Sequence, residues 1–156
     1  MTGIPEEAEP LITVELPGLP RTSYRIYPLA DHIADKVFAI VERHARQDGP
    51  AIPSTRYRDL ADLVIIARQE AVDAEAVEVA LRAQAERRKL EVPSEFRPPG
   101  DRAWRAGYAR VAKDVVGLRE KGFDSAVQTA RRFIEPVLLG TARGRWSHDQ
   151  QAWIQR

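Results

Sequence analysis

The feature that most constrains the fold is a change in hydrophobic period at Pro28. Before this residue, apolar side chains alternate along 10–16 (PLITVEL) and 21–27 (RTSYRIY), which predicts two β-strands separated by PGLP. After it, apolar residues recur with the period of a helix. Proline also suits a helix start, because its φ is already helical and it has no N–H to leave unpaired. The sequence therefore predicts a short β element followed by helices.

The helical part is predicted to contain five helices joined by short loops, which favours antiparallel neighbours. Their predicted bounds are 28–47, 56–69, 73–90, 101–119 and 123–139. The predicted fold class is α+β and predominantly α-helical. An N-terminal two-strand β element over 1–27 is followed by a five- to six-helix bundle over 28–156, and residues 1–9 are expected to form a loose terminus.

Three local features refine the helix boundaries. Ser54 and Thr55 are both suited to cap the second helix, because a hydroxyl accepts from unpaired N–H groups at a helix start. Pro136 lies inside the fifth helix, where its missing N–H predicts a kink or a restart at Glu135. The tail, 141–156, contains two tryptophans and predicts a last short helix that folds back.

Composition limits the possible classes of function. The net charge of +1 excludes polyanion binding by overall charge, and the absence of Cys excludes disulfides, thiolate metal sites and a cysteine nucleophile. No apolar run approaches the roughly 20 residues of a membrane span, and the first residues lack the pattern of a signal peptide. We expect a cytoplasmic protein that does not enter a membrane.

Motifs of several catalytic and metal-binding classes are missing from the sequence. There is no GxxxxGK[ST], no GxGxxG and no GxSxG. His32, His44 and His148 lack the spacing of metal ligands, and His44 falls on the apolar arc of the first predicted helix. A histidine at such a position is favoured as a core residue.

Lys36, Asp59 and Asp62 are charged residues on otherwise apolar helices. Lys36 could lay its stem on the core with its ammonium in water, or it could face a polar cleft and neutralise phosphate charge. Asp59 could lie in the first turn, where the positive end of the helix dipole stabilises its carboxylate, while Asp62 pairs with Arg58. Alternatively, the two carboxylates share one face and could bind a divalent cation with nucleotide oxygens, or orient a lysine. The residue pattern alone leaves these alternatives open.

Two runs in this region resemble motifs of a known family. HIADK at 32–36, followed by Ala39, is similar to a pattern hIAxKxxA, and RYRDLADL at 56–63 is similar to RxxDLxDL. These patterns, at this distance, are typical of the AbiEii/AbiGii toxins, nucleotidyltransferase-like proteins of type IV toxin–antitoxin systems. The resemblance extends from about residue 10 to the end of the sequence, more weakly in FIEPVLLG and the tryptophans that follow it.

The resemblance implies functional roles for several residues. Lys36 and Asp59 match the lysine and aspartate of the family's active site, where a lysine would stabilise nucleotide phosphates and an aspartate would support a metal or the lysine. The remaining assignments are nucleotide binding for Lys36, Arg56 and Arg58, and supporting roles for Asp62 and His32. No metal ligand is assigned in this chain.

The resemblance also implies cofactors and partners. These are Mg²⁺ and a nucleoside triphosphate, tRNA as the nucleotide acceptor, and a cognate antitoxin. However, enzymes of this kind bind metal mainly through a G-S motif followed by D-x-D or D-x-E, and this sequence contains neither ahead of Lys36. The match is therefore interpreted as the C-terminal portion of such an enzyme, inactive alone. It would come from a truncated gene, a wrongly assigned start codon, a split protein or a domain reused for binding.

Two other classes of function are considered. The alternative hypothesis is a non-catalytic helical interaction module that binds an antitoxin, a partner domain or RNA through an open strand edge at 10–27 and through arginines. A helical DNA-binding domain is less favoured, because the net charge is close to zero and the sequence contains no recognisable recognition helix.

Overall fold

A computed structural model describes residues 2–3, 5–8, 24–44 and 52–155 of the chain. Within these ranges there are five α-helices and three two-stranded antiparallel sheets, so the predicted α+β, predominantly helical class is confirmed. The helices are α1 Leu29–Val41, α2 Tyr57–Gln69, α3 Ala74–Arg88, α4 Arg102–Asp114 and α5 Phe123–Leu138. The strands are β1 Glu6–Ala8, β2 Tyr24–Ile26, β3 Arg43–His44, β4 Ile52–Pro53, β5 Arg145–Ser147 and β6 Ala152–Ile154.

The N-terminal sheet differs from the prediction in one of its strands. β2 lies within the predicted strand 21–27, but its partner is β1, from the segment that was expected to be loose. The pairing is antiparallel, with Glu6 opposite Ile26. A three-residue strand without a hydrophobic alternation is determined by its partner rather than by its own sequence, which is why β1 had no local signal. The predicted strand 10–16 lies outside the described residues.

Helix α1 ends earlier than predicted. Its periodic pattern continues to Gln47, but Glu42 is extended (ψ 137°) and β3 pairs with β4 directly afterwards. Pairing with a strand eight to ten residues further along the chain has therefore replaced the last predicted turn of the helix. His44 accordingly lies in β3 and not on the helix arc, and its side chain is outside the described part of the chain.

Helix α2 is the central element of the helical layer. It contacts α1 on one side and α4 and α5 on the others, while α3 packs mainly against α1. The sequence predicted this position, because α2 is apolar nearly all round. Its buried side chains are Leu60, Ala61, Leu63, Val64, Ile66 and Ala67.

The start of α2 is fixed by a serine, although not in the predicted capping position. The N-cap residue is Arg56, whose side chain makes no capping hydrogen bond. The Ser54 hydroxyl instead accepts from the backbone N–H of Arg56 (3.2 Å). The carbonyl of buried Ser54 accepts from the indole N–H of Trp104, which joins the start of α2 to α4.

Helix α4 ends at Asp114, before its predicted end at residue 119, because two features close it. Val115 is extended and Gly117 has a φ of +81°, a conformation that glycine adopts without strain. The ammonium of Lys121 donates to the carbonyls of Ala112 (2.6 Å) and Val115 (3.1 Å), two acceptors that the end of the helix leaves unpaired. A lysine from the following loop thus satisfies this helix end.

Helix α5 is continuous through Pro136 to Leu138, so the predicted restart at Glu135 is wrong. The proline lies in the last turn, where its missing N–H removes only one hydrogen bond before the helix ends. Gly140 follows with a φ of +64°, the left-handed conformation that terminates many helices. Pro136 therefore marks the approaching end of α5 and does not divide it.

The predicted last helix is replaced by a hairpin of β5 and β6. Trp146 and Trp153 lie directly opposite each other in its register, with ring centroids 5.4 Å apart. The Trp146 indole donates to the carbonyl of Ala67 (2.8 Å), and the Trp146 backbone N–H donates to the carbonyl of Val72 (2.9 Å). The aromatic pair and these long-range bonds select a hairpin, which the spacing of the tail could not indicate.

We predict that Gly107→Ala destabilises the fold through the contact between α2 and α4. A Cβ at residue 107 would lie 2.5 Å from ring carbons of Tyr57, a ring that packs edge-on against Trp104. Helix propensity alone would favour alanine by about 0.8–1.0 kcal/mol, whereas overpacking costs about 1–3 kcal/mol. Urea denaturation should therefore show a net loss in the free energy of unfolding.

Gly100→Ala is the matched control for this substitution. No heavy atom lies within 4 Å of a Cβ built at residue 100. This variant should unfold at the same urea concentration as the original chain or a higher one. An equal or greater stability of Gly107→Ala would show that the Tyr57 ring moves aside without cost.

Candidate active site

The ammonium of Lys36 lies between two carboxylates of the neighbouring helix. Its Nζ is 3.2 Å from Oδ1 of Asp59 and 2.6 Å from Oδ2 of Asp62. Lys36 comes from the middle of α1, whereas Asp59 and Asp62 are three positions apart on α2 and therefore share a face. The structure thus brings together three of the charged residues that the sequence singled out.

The burial of this cluster excludes one of the two alternatives for Lys36. Only 7% of the Lys36 side chain is exposed, against 18% for Asp59 and 29% for Asp62. A lysine that merely covered the core would place its ammonium in water, so that interpretation is wrong. The carboxylates, in contrast, retain contact with solvent. The cluster therefore has an open, acidic side above an enclosed cation.

The cluster keeps unused hydrogen-bonding capacity. An ammonium has three N–H donors, and the two carboxylates occupy two of those of Lys36. Within the described ranges, Oδ1 of Asp62 makes no hydrogen bond to the protein. The three side chains together carry a charge of −1. They could accept a cation at the carboxylates and still offer one donor to an anionic oxygen.

Two carboxylates suit one kind of metal binding better than others. Among the described residues, no group of three or more His, Cys, Asp or Glu side chains is arranged to hold a metal ion. Mg²⁺ is usually bound by one or two carboxylates together with waters and substrate phosphates, not by a complete protein cage. Asp59 and Asp62 therefore fit Mg²⁺ that arrives with a nucleotide, and they do not form a self-sufficient metal site.

Of the two arginines predicted to bind nucleotide, Arg56 lies next to the cluster and Arg58 does not contact it. Arg56 Nε is 3.9 Å from Oδ2 of Asp59, and 68% of its side chain is exposed. Arg58 is also exposed but makes no ion pair in the part of the chain that the structure describes. In particular, Asp62 pairs with Lys36 rather than with Arg58. The structure places Arg56 at the edge of the cluster and leaves Arg58 free on the surface.

His32 lies one turn before Lys36 on α1 and is electrostatically coupled to the cluster. Its pKa is lowered, because partial burial disfavours the imidazolium and the Lys36 ammonium repels it. Asp62, Asp35 and Asp59 act in the opposite direction without reversing the shift. The imidazole also packs edge to face against the ring of Tyr27, with the ring centroids 6.3 Å apart. His32 is therefore kept neutral beside the cluster at neutral pH.

Two aspartates of α1 support the site and were missed from the sequence. Asp31 is completely buried and accepts the backbone N–H groups of Thr2 (2.9 Å) and Gly3 (3.0 Å). Asp35 accepts the hydroxyl of Tyr27 (2.9 Å) and lies 3.5 Å from Arg88 of α3. An acid in the first helical turn is a common dipole feature, so Asp31 gave no distinct signal. Both hold other segments against the helix that carries Lys36.

The comparisons with known proteins identify the family. The sequence model described as "Nucleotidyl transferase AbiEii toxin, Type IV TA system" matches residues 2–129 of this chain. The chain belongs to the AbiEii family. The match includes all three members of the cluster and extends the predicted resemblance to β1, but it ends within α5 and so excludes the β5–β6 hairpin. No curated protein and no solved structure matches the chain significantly.

AbiEii membership confirms the family resemblance and the toxin–antitoxin class. It does not assign roles to Lys36, Asp59 or the other predicted site residues, which stay predictions. Among the described helices, none is long and apolar enough to cross a membrane.

We predict that the pKa of His32 responds in opposite directions to two changes in the cluster. Lys36→Met removes a repelling cation and should raise the pKa of His32, whereas Asp62→Asn removes an attracting anion and should lower it further. An NMR titration of the imidazole signals of each variant measures both shifts. Shifts of the same sign in the two variants would contradict the described geometry.

We predict that Asp31→Asn loosens the N-terminal segment at neutral pH. Burial would raise the pKa of Asp31, but hydrogen bonds from Gly3 and Thr2 outweigh it, so the pKa lies below the ordinary value of 3.8. The stabilisation is therefore present above pH 3.8 and is lost as the pH falls through the lowered pKa. Urea denaturation at pH 7 should show a loss of about 1–3 kcal/mol.

Urea denaturation at a pH below the lowered pKa of Asp31 should show a smaller difference in the free energy of unfolding between Asp31→Asn and the original chain. Asp114→Asn, at an exposed position, is the control and should change little at either pH. A difference for Asp31→Asn that did not depend on pH would exclude the carboxylate as its source.

Proposed function

We propose that the chain carries part of the active site of a nucleotidyltransferase-like toxin that uses a nucleoside triphosphate and Mg²⁺, with tRNA as the acceptor. The observation that carries this proposal is the enclosed Lys36 ammonium, held by two carboxylates, Asp59 and Asp62, that keep contact with solvent. Membership of the AbiEii family supports the same reaction class. The proposed partner is a cognate antitoxin, and the proposed location is the cytoplasm.

Each residue of the cluster has a chemical role in this proposal. Lys36 offers its third N–H to a phosphate oxygen, and its position is fixed before the nucleotide arrives because two carboxylates hold it. Asp59 and Asp62 would hold the metal through oxygens that Lys36 does not use. When bound, Mg²⁺ would neutralise negative charge on the nucleotide phosphates. Fixing the charged groups in advance lowers the cost of reorganisation during transfer.

The residues around the cluster have supporting roles. Arg56 is exposed at the edge of the cluster, so it is proposed to contact the nucleotide from the rim. Arg58 is assigned a weaker role of the same kind because it lies outside the cluster. His32, kept neutral by its lowered pKa, can accept a hydrogen bond without adding a repelling charge next to Lys36.

We predict that Lys36→Met reduces nucleotide transfer by at least about 100-fold, the usual range for removing a preorganised donor to a developing charge. Methionine keeps the length of the buried stem and removes the ammonium. The measurement is the incorporation of label from an α-labelled nucleoside triphosphate into tRNA with Mg²⁺ present. Asp59→Asn should also reduce transfer, and chelation of Mg²⁺ should abolish it.

Lys113→Met is the matched control, because Lys113 is exposed on α4, away from the cluster. It should transfer label at the original rate. Equal transfer by the Lys36 and Lys113 variants would refute the proposed role of Lys36. If the unaltered chain transfers no label, independent catalysis is rejected and the interaction-module alternative is favoured, for which Ile26 and Tyr27 offer exposed apolar surface on the N-terminal sheet.

A further inference from the structure

A cleft lies between the end of α5 and the β5–β6 hairpin. Its volume is about 370 Å³, within the range of about 300–1,000 Å³ that is usual for sites of small ligands. All of its lining residues lie between positions 132 and 155, beyond the part of the chain that the family model matches. Its chemistry is therefore not explained by the cluster around Lys36.

The cleft is positively charged. Arg132 and Arg143 both line it and are exposed, and its lining includes no carboxylate. Arg132 makes no ion pair or hydrogen bond within the described ranges. Nη1 of Arg143 donates to the carbonyls of Gly140 and Ala142, each at 2.7 Å, which fixes the guanidinium at the cleft. Two guanidinium groups that line one cleft, with no carboxylate partner among the described residues, favour an anion with several oxygens, such as a phosphate.

The cleft also presents a rigid aromatic ring. Trp153 is partly exposed and lines the cleft, and its ring stacks on Phe133 at 5.7 Å with an angle of 9° between the planes. Its indole N–H donates to the carbonyl of Phe133 (3.0 Å). A fixed indole loses little conformational entropy when a second planar group packs on it. Aromatic side chains next to arginines are the usual means of holding unpaired bases and their phosphates.

Polar side chains complete the lining. Thr141, Gln151 and Gln155 contribute hydroxyl and amide groups. Gln151 is held in place, because its Nε2 donates to the carbonyls of Ala67 and His148, each at 2.7 Å. The Gln155 amide and the acceptor oxygens of Thr141 and Gln151 can bond to the polar edge of a base, because the Thr141 hydroxyl and both Gln151 N–H bonds already donate within the protein.

The cleft is separate from the cluster around Lys36. Gln151 is bonded to the carbonyl of Ala67, in the last turns of α2, whereas Asp59 lies in the first turn of the same helix. Eight residues of helix correspond to about 12 Å along its axis. A ligand in the cleft therefore leaves the open side of the cluster accessible.

We propose that this cleft binds one nucleotide of a single-stranded nucleic acid, with its phosphate on Arg132 and Arg143 and its base on Trp153. The inference does not depend on the proposed transfer reaction, because none of these side chains belongs to the cluster. A folded duplex does not fit, since its bases are stacked on one another and are not available to Trp153.

The test uses the full chain and a short, fluorescein-labelled, single-stranded RNA, with binding followed by fluorescence anisotropy. Arg132→Ala and Arg143→Ala should each weaken binding by roughly three- to tenfold and should each lower the salt dependence by about 0.7 in the slope of log K against log salt. Trp153→Ala should weaken binding by about fivefold or more. Circular dichroism before each titration confirms that the variants are folded.

Arg110→Ala is the matched control, because Arg110 is an exposed arginine of α4 that does not line the cleft. It should bind RNA like the original chain. Unlabelled DNA of the same sequence, a duplex and inorganic phosphate serve as competitors. Displacement of the labelled RNA by single-stranded nucleic acid, whether its sugar is ribose or deoxyribose, supports the proposal. The more effective competitor identifies the preferred sugar.

Several results would overturn the proposal. One is an absence of saturable RNA binding. Another is an equal loss of RNA affinity in Arg110→Ala and Arg132→Ala. A third is displacement of the RNA by inorganic phosphate or by a duplex as effectively as by single strands. The surface arginine variants keep the test decisive if Trp153→Ala fails to fold, because neither Arg132 nor Arg143 is part of the core.

Discussion

The enclosed charge of Lys36 is the constraint on which the arrangement of the first two helices depends. An ammonium removed from water costs several kcal/mol unless charged partners compensate for it. Here the partners are Asp59 and Asp62, and both are supplied by α2, the helix that also packs against α1, α4 and α5. The position of α1 against α2 must therefore satisfy two requirements together, the packing of apolar side chains and the placement of one cation between two carboxylates.

The surrounding groups reinforce this position from outside the cluster. Asp31 ties the N-terminal residues to the start of α1, and Arg88 of α3 reaches Asp35 and Glu42 on the same helix. These contacts are partly buried, and they restrict movement of α1 along its own axis. Because α1 carries the cation and α2 the anions, such restriction maintains the distances on which the proposed chemistry relies.

The parts of this structure that could be predicted are those with local causes. The apolar surface of α2 and the glycine after α5 carry their own signals, so both helices lie close to their predicted bounds. The family motifs singled out Lys36 and Asp59 before their contact was known. Asp62 was assigned only a supporting role, because sequence spacing cannot tell which of two carboxylates a lysine will approach more closely.

The parts that could not be predicted depend on which partner a segment meets rather than on its own sequence pattern. β1 forms because β2 is available to it, and β3 replaces a helical turn because it pairs with β4. The hairpin depends on Trp146 meeting Trp153, and nothing in the spacing of the tail distinguishes that from a short helix. Arg58 was assigned to nucleotide binding through the family resemblance; among the described residues it makes no ion pair with the cluster, because adjacent residues on a helix need not share a face.

The carbonyl of Ala67 accepts two side-chain donors, from Trp146 and Gln151, across separations of 79 and 84 residues. Closing loops of this length costs more conformational entropy than bringing α1 and α2 together. We therefore expect the last turn of the central helix to gain these contacts after its first turns have packed on α1. Local opening of the hairpin would begin the fraying of α2 at the end opposite its carboxylates.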